Sequence, residues 1–257
     1  MMKVGIIGLG SVGSAAKHTL ERHFEVEYYD KDGRGNWDEV ISCQVILVCV
    51  STNASDDGIL DMTNIFSVAN DLVKDVYSGL VIIKSTIQPG TIDRIEQLHP
   101  DLRISYVPEF LREKDAIEWF SEPDRLVYSC KSEDETILLN VFNWIDEGVP
   151  LLRMSNKEAE YGKLAHNAYI ATKVTFTCEI ERLCKLENID SNNVMEVVWR
   201  DRRVNNPSHL TPKKGGYGGK CVPKDTLALA QLDPDKQSLL HILHERGEES
   251  VVSQRLM

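Results

Sequence analysis

The 257-residue sequence lacks any run of about 20 apolar residues, the length that a membrane-spanning helix needs. Its first residues also lack the small-residue cleavage site of a secretory signal peptide. Basic residues are few, since 29 Lys and Arg stand against 40 Asp and Glu, for a formal net charge of −11. This balance argues against nucleic acid or an anionic membrane as the main partner, because both attract clustered Lys and Arg.

The sequence is also short of paired or clustered cysteines. None of the six belongs to a CxxC pair or to a His/Cys cluster with the spacing of metal ligands. They are Cys43, Cys49, Cys130, Cys178, Cys184 and Cys221. We therefore predict reduced thiols, a cytoplasmic location and no metal site.

What the first 154 residues do contain is an alternation of short apolar runs with helically spaced segments. Runs typical of strands are residues 4–7, 26–29, 44–50, 80–84 and 104–107. Helical patterns cover residues 12–22, 65–76 and 91–98. Such alternation predicts βαβ units and an α/β fold with a parallel sheet. Residues 125–129 and 151–154 are expected to complete that sheet.

A G-x-G-x-x-G turn, formed by Gly8, Gly10 and Gly13, follows the first predicted strand and opens the first helix. Its glycines let the backbone turn tightly against a pyrophosphate, which the helix N-terminus then stabilises. Asp30 ends the second strand, where its carboxylate can accept from both ribose hydroxyls and repel a 2′-phosphate. The motif predicts a doubly wound Rossmann domain over residues 1–154 that binds NAD rather than NADP, a preference that Lys31 would soften.

The remaining residues, 155–257, are expected to form a small all-α domain. Residues 156–186 keep helical spacing without a proline, which predicts one long interdomain helix and, on its surface, a homodimer contact. Lys163 and Asn167 lie four residues apart and so share a face of this helix. An ammonium and an amide placed in this way can stabilise a developing oxyanion, although a solvated helix face would show the same spacing.

Cys221 lies in the segment GGKCVPKD, between Lys220 and Lys224. Pro223 suits the first position of a helix, which would place the thiol beside a positive helix end. Such surroundings favour a thiolate, and Asp225 follows about one helical turn later. We therefore predict a reactive thiol here rather than a cysteine of the apolar core.

Two further polar segments follow predicted strands. They are Ser85-Thr86 and the run PEFLRE, which contains Glu109 and Glu113. Ligands of open α/β folds bind at this edge of the sheet. Each segment alone would be an ordinary polar loop, and its value comes from the motifs around it.

Taken together, these motifs resemble the UDP-glucose/GDP-mannose dehydrogenase family. The matching segments, in family order, are GLGSVG, VCVSTN, KSTIQPGT, PEFLRE, AEYGKLAHNAY, NNPS and GGYGGKCVPKD. The resemblance implies an enzyme that oxidises the C6 alcohol of a nucleotide sugar to a carboxylate in two steps, with two NAD⁺ and no release of aldehyde.

The same resemblance implies a role for each matching residue. Cys221 would form a thiohemiacetal and then a thioester, while Lys163 and Asn167 stabilise the oxyanions. Asp225 and Thr86, with a held water, would manage proton removal, and Glu109 would assist thioester hydrolysis. The residues implied in cofactor binding are Gly8, Gly10, Val12, Gly13, Asp30, Thr52, Thr86, Glu113 and Lys224. Those implied in substrate binding are Glu109, Lys163, Asn167, Asn205, Asn206, Pro207, Ser208 and Gly218.

Two features depart from the family pattern. Family chains continue into a third, C-terminal domain that holds the nucleotide, and we expect no counterpart of it in this sequence. The loop at residues 209–215 is longer than usual, and its Lys213 and Lys214 would meet a substrate phosphate, unless they form a solvated loop tip.

Two other functions stay open on the residues alone. One is a single-step NAD-dependent dehydrogenase of a smaller hydroxy acid, because Lys and Asn four apart on an interdomain helix also occur in β-hydroxyacid dehydrogenases. That reaction would leave Cys221 without a role. The other is a non-catalytic NAD-binding subunit completed by another chain, although every catalytic residue type of the family is present.

Overall fold

The computed structural model describes residues 2–55, 58–212, 216–217, 221–236 and 238–255. By its internal contacts the chain forms two compact units. The first comprises Met1–Asn53 and Leu60–Lys163, and the second comprises Ala54–Ile59 and Leu164–Met257. Four residues singled out in the sequence lie outside the described part of the chain: Lys213, Lys214, Gly218 and Lys220.

The first unit contains a five-stranded parallel sheet, which confirms the predicted α/β fold. Its strands are β1 (Lys3–Ile7), β2 (Glu25–Tyr29), β3 (Val45–Val48), β4 (Leu80–Ile83) and β5 (Arg103–Tyr106). Their order is β2-β1-β3-β4-β5, and every neighbouring pair is parallel. Every residue of β3 and β4 is buried, as expected for central strands whose two faces are both covered.

Helices cover both faces of this sheet. They are α1 (Ser11–Leu20), α2 (Trp37–Ile41), α3 (Thr63–Lys74), α4 (Thr91–Leu98), α5 (Ala116–Ser121) and α6 (Glu135–Val141). Alternate residues of β3 enter two separate cores: Val45 and Leu47 pack in one, Ile46 and Val48 in the other. The sheet is therefore the central layer of the unit.

The expectation that residues 125–129 and 151–154 complete the sheet is wrong. Strands β6 (Leu126–Tyr128) and β7 (Leu151–Arg153) instead pair with each other in a separate parallel sheet. A single antiparallel bridge between Tyr106 and Ser129 joins this pair to the end of β5. Pro108 follows almost at once and has no N–H to donate, so the ladder cannot extend further along this edge.

The second unit is helical in its described part. Helix α7 (Asn156–Leu186) has the predicted bounds, begins in the first unit and continues into the second. It is followed by α8 (Ser191–Trp199), α9 (Val222–Ala230) and α10 (Leu239–Arg255). Among the described residues, no helix has the length and apolarity to cross a membrane.

Candidate active site

The glycine turn has the geometry that a dinucleotide requires. Gly8 has a φ of +93°, and a side chain at Gly13 would place its Cβ 1.8 Å from the Gly8 carbonyl oxygen. Gly10 is the N-cap of α1, and a Cβ there would meet nothing within 4 Å. The turn thus closes tightly beneath the helix N-terminus and leaves room above it for a pyrophosphate. Val12 packs partly against the adjacent core.

Asp30 lies at the end of β2, beside the same turn. Its Oδ2 accepts a hydrogen bond from the Leu9 N–H at 2.6 Å. Arg34 approaches it, with Nη2 3.6 Å from Asp30 Oδ2 and 2.7 Å from Asp32 Oδ2, and this hydrogen bonding lowers the pKa of Asp32. Lys31 donates instead to Asn64. The cation beside the Asp30 carboxylate is therefore Arg34, which was not predicted as a site residue.

Three more of the predicted cofactor residues, Thr52, Thr86 and Glu113, lie in loops of the first unit that follow strands of the sheet. Thr52, which follows β3, is buried and donates to the Thr86 carbonyl oxygen at 2.7 Å. Thr86 follows β4, so this hydrogen bond links two loops at the carboxyl edge of the sheet. Glu113 lies in a single 3-10 turn (Glu113–Asp115), and its Oε1 accepts from the Ser11 hydroxyl in the first turn of α1. These residues fit a dinucleotide laid across the strand ends.

Glu109 is held by a buried cation. Its Oε2 lies 3.1 Å from Lys84 Nζ, and the exposed fractions of the two side chains are 14% and 3%. The other oxygen, Oε1, accepts from the Phe110 N–H at 2.9 Å. Lys84 directly follows β4 and was not predicted as a site residue. The sequence did contain a signal for this residue: a lysine ends the apolar run LVIIK. A charge beside a buried strand needs a partner, so a buried ion pair could have been predicted there.

Lys163 is also buried, with 6% of its surface exposed. Its Nζ lies 5.4 Å from the centre of the Phe110 ring, and Arg125 stacks on that ring at 4.0 Å. The aromatic ring provides a favourable surface for both cations. Because this ammonium is buried, Lys163 does not lie on a solvated face of α7, which was the alternative explanation for its spacing from Asn167.

Cys221 is exposed and forms the N-cap of α9. Val222 takes the first helical position and Pro223 the second, which shifts the sequence expectation for Pro223 by one residue. The thiol nevertheless lies at the positive end of a nine-residue helix. By contrast, Cys49 is buried, which raises its pKa to about 12.

One turn into α9, Asp225 is fully buried. Its Oδ2 accepts from Asn167 Nδ2 at 2.6 Å, and its Oδ1 pairs with Lys224 Nζ at 2.7 Å. Asn167 Oδ1 in turn lies 2.9 Å from His166 Nδ1. Two predicted catalytic residues from different helices of the second unit are thus in direct contact. Lys224, predicted to bind the cofactor, pairs with this carboxylate.

The predicted sugar-binding segment, Asn205–Ser208, is an exposed loop after α8. Asn206 Oδ1 accepts from the Ser208 N–H at 2.7 Å, and the Pro207 carbonyl oxygen accepts from the Leu210 N–H. Asn205 has a φ of +42°, in the left-handed region. Thr177 on α7 anchors the loop by donating to the His209 carbonyl oxygen at 3.0 Å. The segment therefore presents its polar groups to solvent from a fixed base.

Within the described ranges, no three His, Cys, Asp or Glu side chains lie close enough together to hold a metal ion.

Residues 36–145 match the NAD-binding domain of the UDP-glucose/GDP-mannose dehydrogenase family, and residues 157–248 match its central domain. The chain belongs to this family.

Several relatives in this family carry more specific names. A UDP-glucose 6-dehydrogenase from Pseudomonas aeruginosa is 31% identical over 199 residues, which cover 72% of this chain and 44% of that protein. A UDP-glucose 6-dehydrogenase from Rhizobium meliloti is 31% identical over 218 residues, 79% of this chain and 49% of that protein. The chain therefore spans about half the length of these curated relatives.

A solved structure is similar over almost the whole chain. It is a UDP-glucose dehydrogenase from the hyperthermophilic archaeon Pyrobaculum islandicum, with a TM-score of 0.84 and 26% identity. The similarity covers 97% of this chain and 68% of that one. The NAD-binding domain identifies the cofactor as NAD. The glycine turn precedes residue 36, where the match to the NAD-binding domain begins. Its role in NAD binding is therefore supported by the geometry of the turn itself.

Proposed function

We propose that the chain is an NAD-dependent nucleotide-sugar 6-dehydrogenase, an oxidoreductase that converts a C6 alcohol into a carboxylate. The observation that carries this proposal is the pairing of Asn167 with buried Asp225, one helical turn after exposed Cys221. A single-step dehydrogenase of a small hydroxy acid has no use for such a thiol. UDP-glucose is the first substrate to test, and GDP-mannose, which the family description also names, is the second.

In the proposed reaction, two NAD⁺ molecules, bound in succession, would supply the hydride acceptor for the two oxidations. Asp225 and Thr86, through a held water, take the proton of the C6 hydroxyl in the first one. The Cys221 sulfur then bonds to the aldehyde carbon, and Lys163 and Asn167 stabilise the oxygen that becomes negative. After the second oxidation the carbon is a thioester.

Hydrolysis completes the proposed reaction. A water oxygen bonds to the thioester carbon while Glu109 accepts a proton from that water, the carbon–sulfur bond breaks, and Cys221 leaves as a thiolate. The exposed loop Asn205–Ser208 is proposed to bind the sugar, together with Gly218, which lies outside the described residues. The remaining cofactor contacts are proposed for the glycine turn, Asp30, Thr52, Glu113 and Lys224.

We also propose a homodimer that forms through α7. Tyr169, Phe176 and Leu183 recur every seven residues on this helix, and their exposed fractions are 62%, 46% and 44%. Two helical turns advance about seven residues, so these side chains form one apolar stripe.

A reducing cytoplasm is the proposed location, since all six cysteines are free thiols. The acid product would serve polysaccharide biosynthesis.

The test is the stoichiometry of NADH formation with UDP-glucose, GDP-mannose and related nucleotide sugars. The proposal requires two NADH per sugar, with none of the acid product formed by Cys221→Ala. Cys178→Ala is the matched control, because this thiol is only partly exposed and lies outside the proposed machinery. One NADH per substrate, unaffected by Cys221→Ala, would instead indicate a single-step dehydrogenase. Binding of NAD⁺ without turnover of any sugar would indicate a non-catalytic subunit.

A further inference from the structure

Lys84 is a buried cation that the proposed reaction does not use. Only 3% of its side chain is exposed, and it lies immediately after β4, at the carboxyl edge of the sheet. Removing an ammonium from water is costly unless it is paired and hydrogen-bonded. A lysine is therefore retained at such a position only where its surroundings compensate for burial.

The surroundings of the Lys84 ammonium supply that compensation. Nζ lies 3.1 Å from Glu109 Oε2 and donates to the Val107 carbonyl oxygen at 3.2 Å. The rings of Phe120 and Phe142 lie 5.2 and 5.4 Å from it. Two acceptors and two aromatic faces fix the position of the ammonium.

The same contacts fix the Glu109 carboxylate. One oxygen faces the ammonium, and the other accepts from the Phe110 N–H. A cavity of about 30 Å³ adjoins this pair. Its lining includes the rings of Phe110, Phe120 and Phe142, and also the charged residues Asp124 and Arg125. A cavity of this volume is large enough to hold one water molecule that is hydrogen-bonded to polar groups.

We propose that Lys84 is a positioning residue that fixes the Glu109 carboxylate where it can accept a proton from a water molecule. The inference rests on the proposed function for the use of that proton in thioester hydrolysis. The pairing itself stands on the geometry of the first unit.

The pairing is tested without any substrate, by a double-mutant cycle in urea unfolding. Lys84→Met, Glu109→Gln and the double variant are compared with the parent chain at neutral pH. Lys84→Met should lower the free energy of unfolding, because it leaves the half-buried Glu109 carboxylate without its cation. The double variant should recover part of that loss. An equal loss from Lys84→Met in the parent chain and in the Glu109→Gln background would overturn the pairing.

One further variant and one folding comparison keep the cycle interpretable. Lys74→Met removes an exposed lysine at the end of α3 and should leave the free energy of unfolding unchanged. If Lys84→Met does not fold, the double variant should still fold, because both buried charges are gone. Failure of both to fold would contradict the inference.

The hydrolytic role is tested by rapid NADH formation with UDP-glucose as the probe. Lys84→Met should keep the first burst of NADH and slow steady turnover at least about tenfold, with the sugar accumulating on the protein in intact-mass spectra. Lys84→Arg should restore part of the rate. Equal slowing of burst and steady phases would overturn this role. A parent chain that forms no NADH from any nucleotide sugar would remove both the proposed function and the hydrolytic role, while the stability cycle decides the pairing separately.

Discussion

At the scale of single residues, the cysteines differ in their chemistry because they differ in burial. Burial raises the pKa of Cys43 to about 11 and that of Cys49 to about 12, whereas Cys221 is exposed at a helix N-terminus. We expect iodoacetamide at neutral pH to alkylate Cys221 first and to leave Cys43 and Cys49 unmodified in the folded chain. Peptide mass spectrometry measures the order. Cys221→Ala is the control, and early labelling of Cys49 would refute the expectation.

Two glycines of the dinucleotide turn should respond differently to a methyl group. Gly13→Ala places a Cβ against the Gly8 carbonyl oxygen, so we expect lower stability and lost NAD binding. Gly10→Ala meets no protein atom within 4 Å and occupies the space above the helix N-terminus. It should therefore weaken NAD binding about tenfold or more while the melting temperature stays unchanged. Calorimetry and thermal unfolding separate the two effects, and unaltered NAD affinity in Gly10→Ala would contradict the proposed pyrophosphate position.

The site residues that the sequence predicted are those whose signal is local. The glycine turn and Asp30 are recognisable because a fixed short spacing encodes their geometry. Lys84 and Arg34 were missed, because their importance comes from partners that the fold brings to them. The contact of Asn167 with Asp225 joins residues 58 positions apart, a distance at which helical spacing carries no information about pairing.

At the scale of elements, Glu160 of α7 supplies the missing cap of α4. The N-cap of α4 is Gly90, with a φ of +90° and no capping side chain. Glu160, fully buried, accepts from the N–H groups of Gly90 at 2.5 Å and Ile92 at 2.9 Å. Glu160→Ala leaves both N–H groups without their acceptor, and we expect a loss of about 2–4 kcal/mol in the free energy of unfolding. Urea titration measures it. Glu147→Ala, at an exposed turn position, is the control, and an equal loss there would contradict the assignment.

Glu160 should also make stability depend on pH. Burial raises its pKa above the ordinary value of 4.5. The folded state thus binds this proton more tightly than the unfolded state does, so the contribution is fully present below pH 4.5 and is lost as pH rises through the raised pKa. Glu160→Gln should remove this decline, which unfolding measured across the same pH range detects. A decline that persists unchanged in the variant would exclude Glu160 as its source.

The elements that the sequence predicted are those with a strong periodic or compositional signal. Buried β3 and β4 are continuous apolar runs, and α7 keeps its spacing for 31 residues without a proline. The five-residue α2, whose N-cap Asn36 accepts from the Asp38 N–H, is too short to show a period. The pairing of β6 with β7 was missed because apolar runs do not specify their partner strand.

At the scale of the whole molecule, the apolar stripe on α7 makes association measurable. Phe176→Glu places a charge in the centre of the stripe and should convert the proposed dimer into a monomer, because an unpaired carboxylate is poorly tolerated in an interface. Analytical ultracentrifugation distinguishes the two. Val197→Glu alters another exposed apolar residue, on α8, and should leave the dimer intact. A parent chain that sediments as a monomer would exclude the dimer.

The contact of Arg34 with Asp30 gives the cofactor site a simple route to altered specificity. Asp30 carries the only charge that we assign to rejecting a 2′-phosphate, and a guanidinium already stands 3.6 Å away. Asp30→Ser combined with Asp32→Asn keeps a short acceptor for the Leu9 N–H and removes both carboxylates that pair with Arg34. The ratio of NADP to NAD affinity should then rise about tenfold or more, because the guanidinium is free to bind phosphate. Adding Arg34→Met should abolish that gain in calorimetric titrations. Substitutions at two neighbouring carboxylates would then shift the preference of this chain towards the phosphorylated cofactor without any change in its loop length.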